Sequence, residues 1–119
     1  MVWMQGENDA FADMSAKMHK NNLKSIVKKV MKKTPVEQCM IISIANYTRD
    51  SKIGKNFIRI QNAQKSLCKS DKNFTLISTK ATKFTDDYFL EDGIHIIQNG
   101  LNKIGTEAGK NAGKYAKSH

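Results

Sequence analysis

Arginine is almost absent from this chain, although its formal net charge is +9. Only Arg49 and Arg59 are arginines among the 20 basic residues, and seven of the lysines lie between Lys17 and Lys33. The planar arginine fork is favoured for reading base edges and for bidentate binding of phosphate. The lysine-dominated surface therefore argues against nucleic acid as a partner and predicts a solvated helix face. The alternative function is a small basic module that binds nucleic acid or another polyanion through this lysine-rich first helix.

Cysteine and long apolar runs are also scarce. Cys39 and Cys68 form no CxxC pattern and have no histidine at ligand spacing, so the sequence indicates two free thiols and neither zinc nor redox chemistry. No apolar run approaches the length of a membrane span, and the first residues lack the layout of a signal peptide. No membrane partner is expected, and the residues do not indicate a cellular location.

The apolar spacing that is present predicts a single α/β domain over residues 1–119. At 39% hydrophobic residues the chain can form one core and is too short for two. Short apolar runs alternate with amphipathic stretches, which indicates parallel βαβ units with helices on both faces of the sheet. The predicted strands cover 1–4, 39–45 and 74–79, the predicted helices 10–33, 55–69 and 98–116, and the main predicted loops 46–54 and 80–91.

Three further predictions concern these helices. Asn8 or Asp9 is the predicted N-cap of the first helix, and Thr34-Pro35 should end it. Its apolar positions, including Met14 and Met18, are expected to pack in the core. The glycines of the last helix should allow close packing against the sheet; they are Gly100, Gly105, Gly109 and Gly113.

Asp92 and His95 form a candidate catalytic pair at the start of the last helix. A histidine that acts on a hydroxyl nucleophile needs one ring nitrogen free and the other held by an acceptor, and a carboxylate is the usual acceptor. The spacing of three residues allows direct contact. Asp-x-x-His is also common where an aspartate caps a turn and the histidine is incidental, so both interpretations stay open.

Gln5 and Gly6 follow the first strand and could supply an amide side chain and a backbone N–H to an oxyanion. A polar turn at the end of a strand is the plainer interpretation. Because ligands bind beyond the carboxyl ends of parallel strands, this segment and the Asp92 to His95 segment are expected at the same end of the sheet, where they could meet.

Taken together, three segments resemble one known family. Residues 2–10, with Trp3, Gln5, Gly6 and Glu7, resemble the tryptophan, glutamine, glycine, glutamate segment of the sialate O-acetylesterase-like branch of the SGNH hydrolase superfamily. Arg59, Gln61 and Gln64 resemble its arginine-and-glutamine helix. Asp92-Gly93-Ile94-His95, followed by Gly100 and Gly105, resembles its terminal Asp-x-x-His block.

This resemblance implies a serine esterase that removes acyl groups from acetylated carbohydrate or another small ester. His95 would be the general base and then acid, Asp92 its orienting partner, and Gln5 and Gly6 the oxyanion hole. Glu7 and Asn8 would belong to the active-site loop. The resemblance implies no metal and no organic cofactor. Related enzymes of this superfamily transfer acyl groups or cleave lipid and peptide esters, so the reaction itself has alternatives.

The same resemblance predicts a three-layer α/β/α, flavodoxin-like (SGNH-hydrolase-like) fold with an incomplete parallel sheet of about three strands and three helices. In this family the nucleophilic serine precedes the glutamine-glycine-glutamate segment, in a glycine-containing block. No serine of this chain has a Gly-x-Ser setting. We therefore expect the C-terminal part of an esterase domain that lacks its nucleophile and is inactive alone. The strand at Met1 to Met4 would be an unpaired edge, which favours a homo-oligomer.

Overall fold

The computed structural model describes residues 1–119 and contains four α-helices, one more than the sequence predicts. Two short 3-10 helices, Lys80–Lys83 and Asp86–Tyr88, lie in the segment predicted as a loop over 80–91. Each strand is followed by helix, as expected, but two α-helices follow the first strand. The strands are β1 (Val2–Trp3), β2 (Cys39–Ile42) and β3 (Phe74–Ser78), and the helices are α1 (Glu7–Phe11), α2 (Ala16–Lys33), α3 (Ser51–Ser70) and α4 (Gln98–Ser118).

The three strands form one parallel sheet in the order β1, β2, β3. Val2 pairs with Met40 across the first ladder, and Cys39 pairs with Phe74 across the second. The middle strand is therefore β2, while β1 and β3 are the edges. This arrangement confirms the parallel α/β class, and its order matches a part of a flavodoxin-like sheet.

Helices cover both faces of this sheet. Successive strand residues point to opposite faces, and the core of the protein is divided accordingly. Cys39 and Ile41 pack against residues of α2 and α3, whereas Ile42 packs against the cluster that contains Ile104 of α4. The three-layer prediction is confirmed.

The single first helix predicted over residues 10–33 is wrong. The chain turns after α1, where Asp13 adopts a left-handed backbone with φ 55°, and α2 begins again at Ala16. The Ser15 hydroxyl caps this second start by accepting a hydrogen bond from the backbone N–H of Met18 at 3.1 Å. Termination at Thr34 is confirmed, since Thr34 is the C-cap of α2.

Two further predictions for this region are wrong. Asn8 and Asp9 lie inside α1 and cap nothing, because Gly6 precedes that helix. The methionine stripe does not form the buried face of α2: Met18 is 54% exposed, and the buried residues are His19, Leu23 and Val27. Two helices with separate axes cannot present one continuous stripe to the core.

Helix α3 begins earlier and α4 packs less closely than predicted. The Asp50 carboxylate accepts from the N–H of Ile53 at 2.9 Å and starts α3 at Ser51, inside the predicted loop. Of the four glycines in α4, only Gly100 lies close to side chains outside the helix, those of Phe84, Tyr88 and Ile96. A side-chain carbon at Gly105, Gly109 or Gly113 would meet nothing within 4 Å, so the prediction of close packing fails for these three.

The two cysteine thiols are not bonded to each other. Cys39 and Cys68 are both free, and burial raises their pKa values to about 11 and about 12. Both thiols are therefore protonated at neutral pH.

The lysines of α2 lie outside its buried face. None of the four helices is long and apolar enough to cross a bilayer.

The polar residues of α3 fix the segments at the carboxyl end of the sheet. Gln64, which is 0% exposed, donates from Nε2 to the carbonyl of Gln5 at 2.8 Å and accepts at Oε1 from the N–H of Ile44 at 3.2 Å. One amide thus joins the ends of β1 and β2. Nearby, the buried Asn56 amide donates to the carbonyl of Ala10 at 3.1 Å and so fixes α1.

Replacing Gln64 by leucine should lower the free energy of unfolding by about 2–4 kcal/mol, because the Gln5 carbonyl and the Ile44 N–H would remain buried without partners. Urea unfolding measures the change. The matched control is Gln61→Leu, since the buried Nε2 of Gln61 has no hydrogen-bond partner to lose. Equal destabilisation by the two substitutions would contradict the role of Gln64.

Candidate active site

Asp92 and His95 are in direct contact in a turn three residues before α4. The Asp92 Oδ1 atom accepts hydrogen bonds from the backbone N–H groups of Ile94 and His95 at 2.8 and 2.9 Å. Its Oδ2 atom contacts the Nδ1 atom of the His95 ring. Gly93 makes the turn possible with a left-handed φ of 70°. One carboxylate therefore both shapes the turn and holds the imidazole.

The charge on Asp92 suits a partner that orients the His95 ring as a general base. The hydrogen bond from His95, supported by the backbone N–H groups of His95 and Ile94, lowers the pKa of Asp92 from 3.8 to about 2. An ionised carboxylate can only accept, so Nδ1 carries the proton of the neutral ring and Nε2 keeps its lone pair. The His95 side chain is 74% exposed, so the ring is open to solvent.

Arg49, which the sequence analysis did not identify as functional, anchors this turn to the centre of the sheet. It follows β2 and donates from Nε to Asp86 at 3.0 Å and from Nη1 to the carbonyl of Glu91 at 2.8 Å. Gly93 is buried against it: a side-chain carbon at Gly93 would lie 2.6 Å from the Arg49 Cγ atom. An arginine in the loop after the central strand, in a chain with only two arginines, was the available signal.

Gln5 and Gly6, the predicted oxyanion donors, differ in whether their N–H groups are free. The Gln5 side chain is exposed and free, while its carbonyl accepts from Gln64. The N–H of Gly6 donates to the Glu7 carboxylate at 3.1 Å. Gly6 is buried with φ 152°, and a side-chain carbon there would lie 2.9 Å from Ile60. Of the two predicted oxyanion donors, the Gln5 amide is available and the Gly6 N–H is occupied.

The two segments lie at the same end of the sheet without touching through hydrogen bonds. Gln5 and Gly6 follow β1, and Arg49 ties the Asp92 to His95 turn to the loop after the adjacent strand β2. Asn8 is exposed, and Glu7 is half-buried in this region. No group of three or more histidine, cysteine or acidic side chains is placed to hold a metal ion.

No serine oxygen hydrogen-bonds to His95. Ser43 and Ser78 are buried at strand ends, and both hydroxyls are engaged with backbone: Ser43 donates to the carbonyl of Ile44, and Ser78 accepts from the N–H of Lys80. The other serines are exposed and lie on or beside helices; they are Ser15, Ser25, Ser51, Ser66, Ser70 and Ser118.

Comparison with protein families gives one match that spans nearly the whole chain. A family described as "Carbohydrate esterase, sialic acid-specific acetylesterase" matches residues 1–114. Searches of curated proteins and of solved structures found no match. The matched range includes both candidate segments, Gln5 to Asn8 and Asp92 to His95.

His95→Ala should raise the pKa of Asp92 from about 2 towards 3.8, because the hydrogen bond from His95 is the largest cause of its lowering. An NMR titration of the Asp92 carboxyl carbon measures this. A lowered carboxylate pKa stabilises the fold above the unfolded value near 3.9, and this stabilisation is lost as the pH falls towards 2. His119→Ala, at an exposed histidine far along the chain, is the control. An unchanged Asp92 pKa in His95→Ala would show that the pair does not interact in solution.

Proposed function

The chain belongs to the carbohydrate esterase family of sialic acid-specific acetylesterases, and we propose that it supplies the acid–base half of a serine esterase site that acts on acetylated carbohydrate. The observation that carries this proposal is the contact between Asp92 and the Nδ1 atom of His95. It leaves Nε2 of an exposed imidazole available for proton transfer.

In the proposed reaction, His95 Nε2 accepts the hydroxyl proton of the nucleophile as its oxygen attacks the acetyl carbonyl carbon. Collapse of the tetrahedral intermediate breaks the bond to the sugar oxygen, and His95 returns the proton to that oxygen. Water, activated by the same base, then releases acetate from the acyl-enzyme. Asp92 keeps the ring oriented and stabilises the imidazolium.

The Gln5 side-chain amide is the proposed donor to the oxyanion, since it is exposed and free. The Gly6 N–H could join it only after release from the Glu7 carboxylate, which accepts it at 3.1 Å. We therefore propose that Glu7 controls whether the second donor is available. Asn8 would belong to the same loop.

We further propose that the nucleophilic serine comes from outside residues 1–119. Two observations support this: no serine oxygen hydrogen-bonds to His95, and no serine is preceded by glycine at the Gly-x-Ser spacing. The buried hydroxyls of Ser43 and Ser78 are held by backbone partners.

The chain alone should hydrolyse 4-nitrophenyl acetate no faster than its His95→Ala variant. Joining a serine-bearing first strand from a family member ahead of Met1 should create turnover, and His95→Ala in that fusion should lower it by about 10²–10⁴-fold, the usual contribution of a general base. Colorimetric release of nitrophenol measures both. Turnover by the unfused chain that His95→Ala abolishes would show that the nucleophile is already present, and an active fusion insensitive to His95→Ala would refute the proposed base.

The exposed edge of the sheet supports a proposal about assembly. Strand β1 has a partner only on its β2 side, and Val2 is 61% exposed on it. Unpaired, apolar edges favour pairing with another chain. We propose that two copies associate through Met1 to Met4.

Val2→Lys should convert a self-associated protein into a monomer, because a charged side chain opposes edge-to-edge pairing. Sedimentation velocity at micromolar concentration measures the change. Ile58→Lys is the matched control, since Ile58 is 52% exposed on α3 and is not part of β1. A wild-type monomer at this concentration would contradict the proposal.

A further inference from the structure

A cavity of about 630 Å³ lies between α4 and the two 3-10 helices, and it is separate from the candidate active site. Its lining includes none of Gln5, Asp92 and His95. The volume is within the range of about 300–1,000 Å³ that is usual for small-molecule sites. Four of its nine lining residues are lysines: Lys80, Lys83, Lys103 and Lys110. The wall of this cavity is therefore strongly basic.

Most of this positive charge has no counter-charge within the protein. Glu107 is the only acidic residue in the lining. Its carboxylate lies 3.5 Å from the Lys80 ammonium and accepts from the N–H of Thr79 at 2.9 Å, so its charge is already balanced. The lysines that form no salt bridge are Lys83, Lys103 and Lys110. Three unpaired ammonium groups thus line one cavity.

Lys103 is held in place by an aromatic side chain of the same wall. Its ammonium group donates to the Tyr88 hydroxyl and lies 4.8 Å from the centroid of the Tyr88 ring. The Tyr88 ring in turn stacks on the buried Phe84 ring, with 4.3 Å between centroids. A side chain that is ordered before a ligand arrives loses less conformational entropy on binding. This arrangement differs from a row of freely solvated lysines on one helix face.

The spacing and type of the basic residues determine which anion fits. Lys103 and Lys110 are two helical turns apart, which is about 10 Å along the axis of α4. Since Lys103 is held at Tyr88, a single phosphate beside it leaves Lys110 at a distance, whereas a chain of linked phosphates extends towards both. Lysine binds phosphate oxygens as a point charge with three donors, while planar carboxylates are matched better by the arginine fork. No arginine lines the cavity.

We propose that this cavity binds an oligophosphate, an anion of two or more linked phosphate groups, between Lys83 of the 3-10 helix and Lys103 and Lys110 of α4. The side-chain N–H groups of Asn102 lie in the same wall and can add donors, since its oxygen already accepts from Gln98 at 2.8 Å. The oligophosphate can be free or can be part of a nucleotide. Binding requires neither an ester nor His95, so this site is independent of the proposed function.

Isothermal titration of the full chain tests the ligand class at low ionic strength without divalent metal ions, because salt screens exposed charges. We expect saturable binding of tripolyphosphate at one site per chain, at least about tenfold tighter than that of orthophosphate, which contacts fewer of the lysines. ATP that binds more tightly than tripolyphosphate would identify a nucleotide as the source, and ATP that binds equally or more weakly would identify a free oligophosphate. Equal affinity for orthophosphate or citrate, or no binding of tripolyphosphate, would overturn the proposal.

Charge-removing variants locate the binding. Lys103→Gln and Lys110→Gln should each weaken tripolyphosphate binding about three- to tenfold, because each removes one ammonium from the cavity wall. Lys17→Gln removes the same charge from an exposed position of α2 outside the lining and should bind like the wild type. Equal weakening by Lys17→Gln would show that the anion responds only to the net charge of +9, which also overturns the proposal.

Discussion

The buried amide of Gln64 is the interaction on which the arrangement of this end of the protein depends. It satisfies the carbonyl of Gln5 and the N–H of Ile44, two backbone groups beyond the ends of neighbouring strands where the ladder has stopped. Its side chain also forms part of the wall against which Gly6 packs. Since leaving such groups unpaired costs more than any single surface contact provides, the path of the chain from β1 into α1 is set by a residue of α3.

Two aspartate–histidine pairs of this chain differ in their surroundings. In both, a carboxylate contacts the Nδ1 atom of the ring. The Asp92–His95 pair is exposed on a turn held by Arg49, so its ring is open to solvent. In the Asp9–His19 pair, with 2.7 Å between Oδ2 and Nδ1, the ring is only 4% exposed and the contact joins α1 to α2. The same kind of contact thus orients an exposed ring in one place and connects two helices in the other.

Structural features that depend on residues close together in the sequence could be predicted from it. Apolar runs predicted the first two strands, a β-rich run after a turn predicted the third, and the spacing of Asp92 and His95 allowed their contact. The break between α1 and α2 was missed because it depends on a left-handed Asp13 and a serine cap, both weaker in the sequence than the apolar spacing that runs through them. The anchoring by Arg49 and the hydrogen bonds of Gln64 to Gln5 and Ile44 join residues far apart in the chain. Such long-range contacts leave no periodic pattern of residues in the sequence.

The open glycines of α4 have a consequence for motion. Each glycine in a helix interior costs up to about 1 kcal/mol relative to alanine, and Gly105, Gly109 and Gly113 recover none of this through packing. The first turns, by contrast, are held by the packed Gly100 and the buried Ile104. Hydrogen exchange in α4 should accordingly be fastest at its carboxyl end, as local opening starts where the helix is least supported. The turn that carries His95 adjoins the protected end, so fraying of the last helix leaves the candidate base in place.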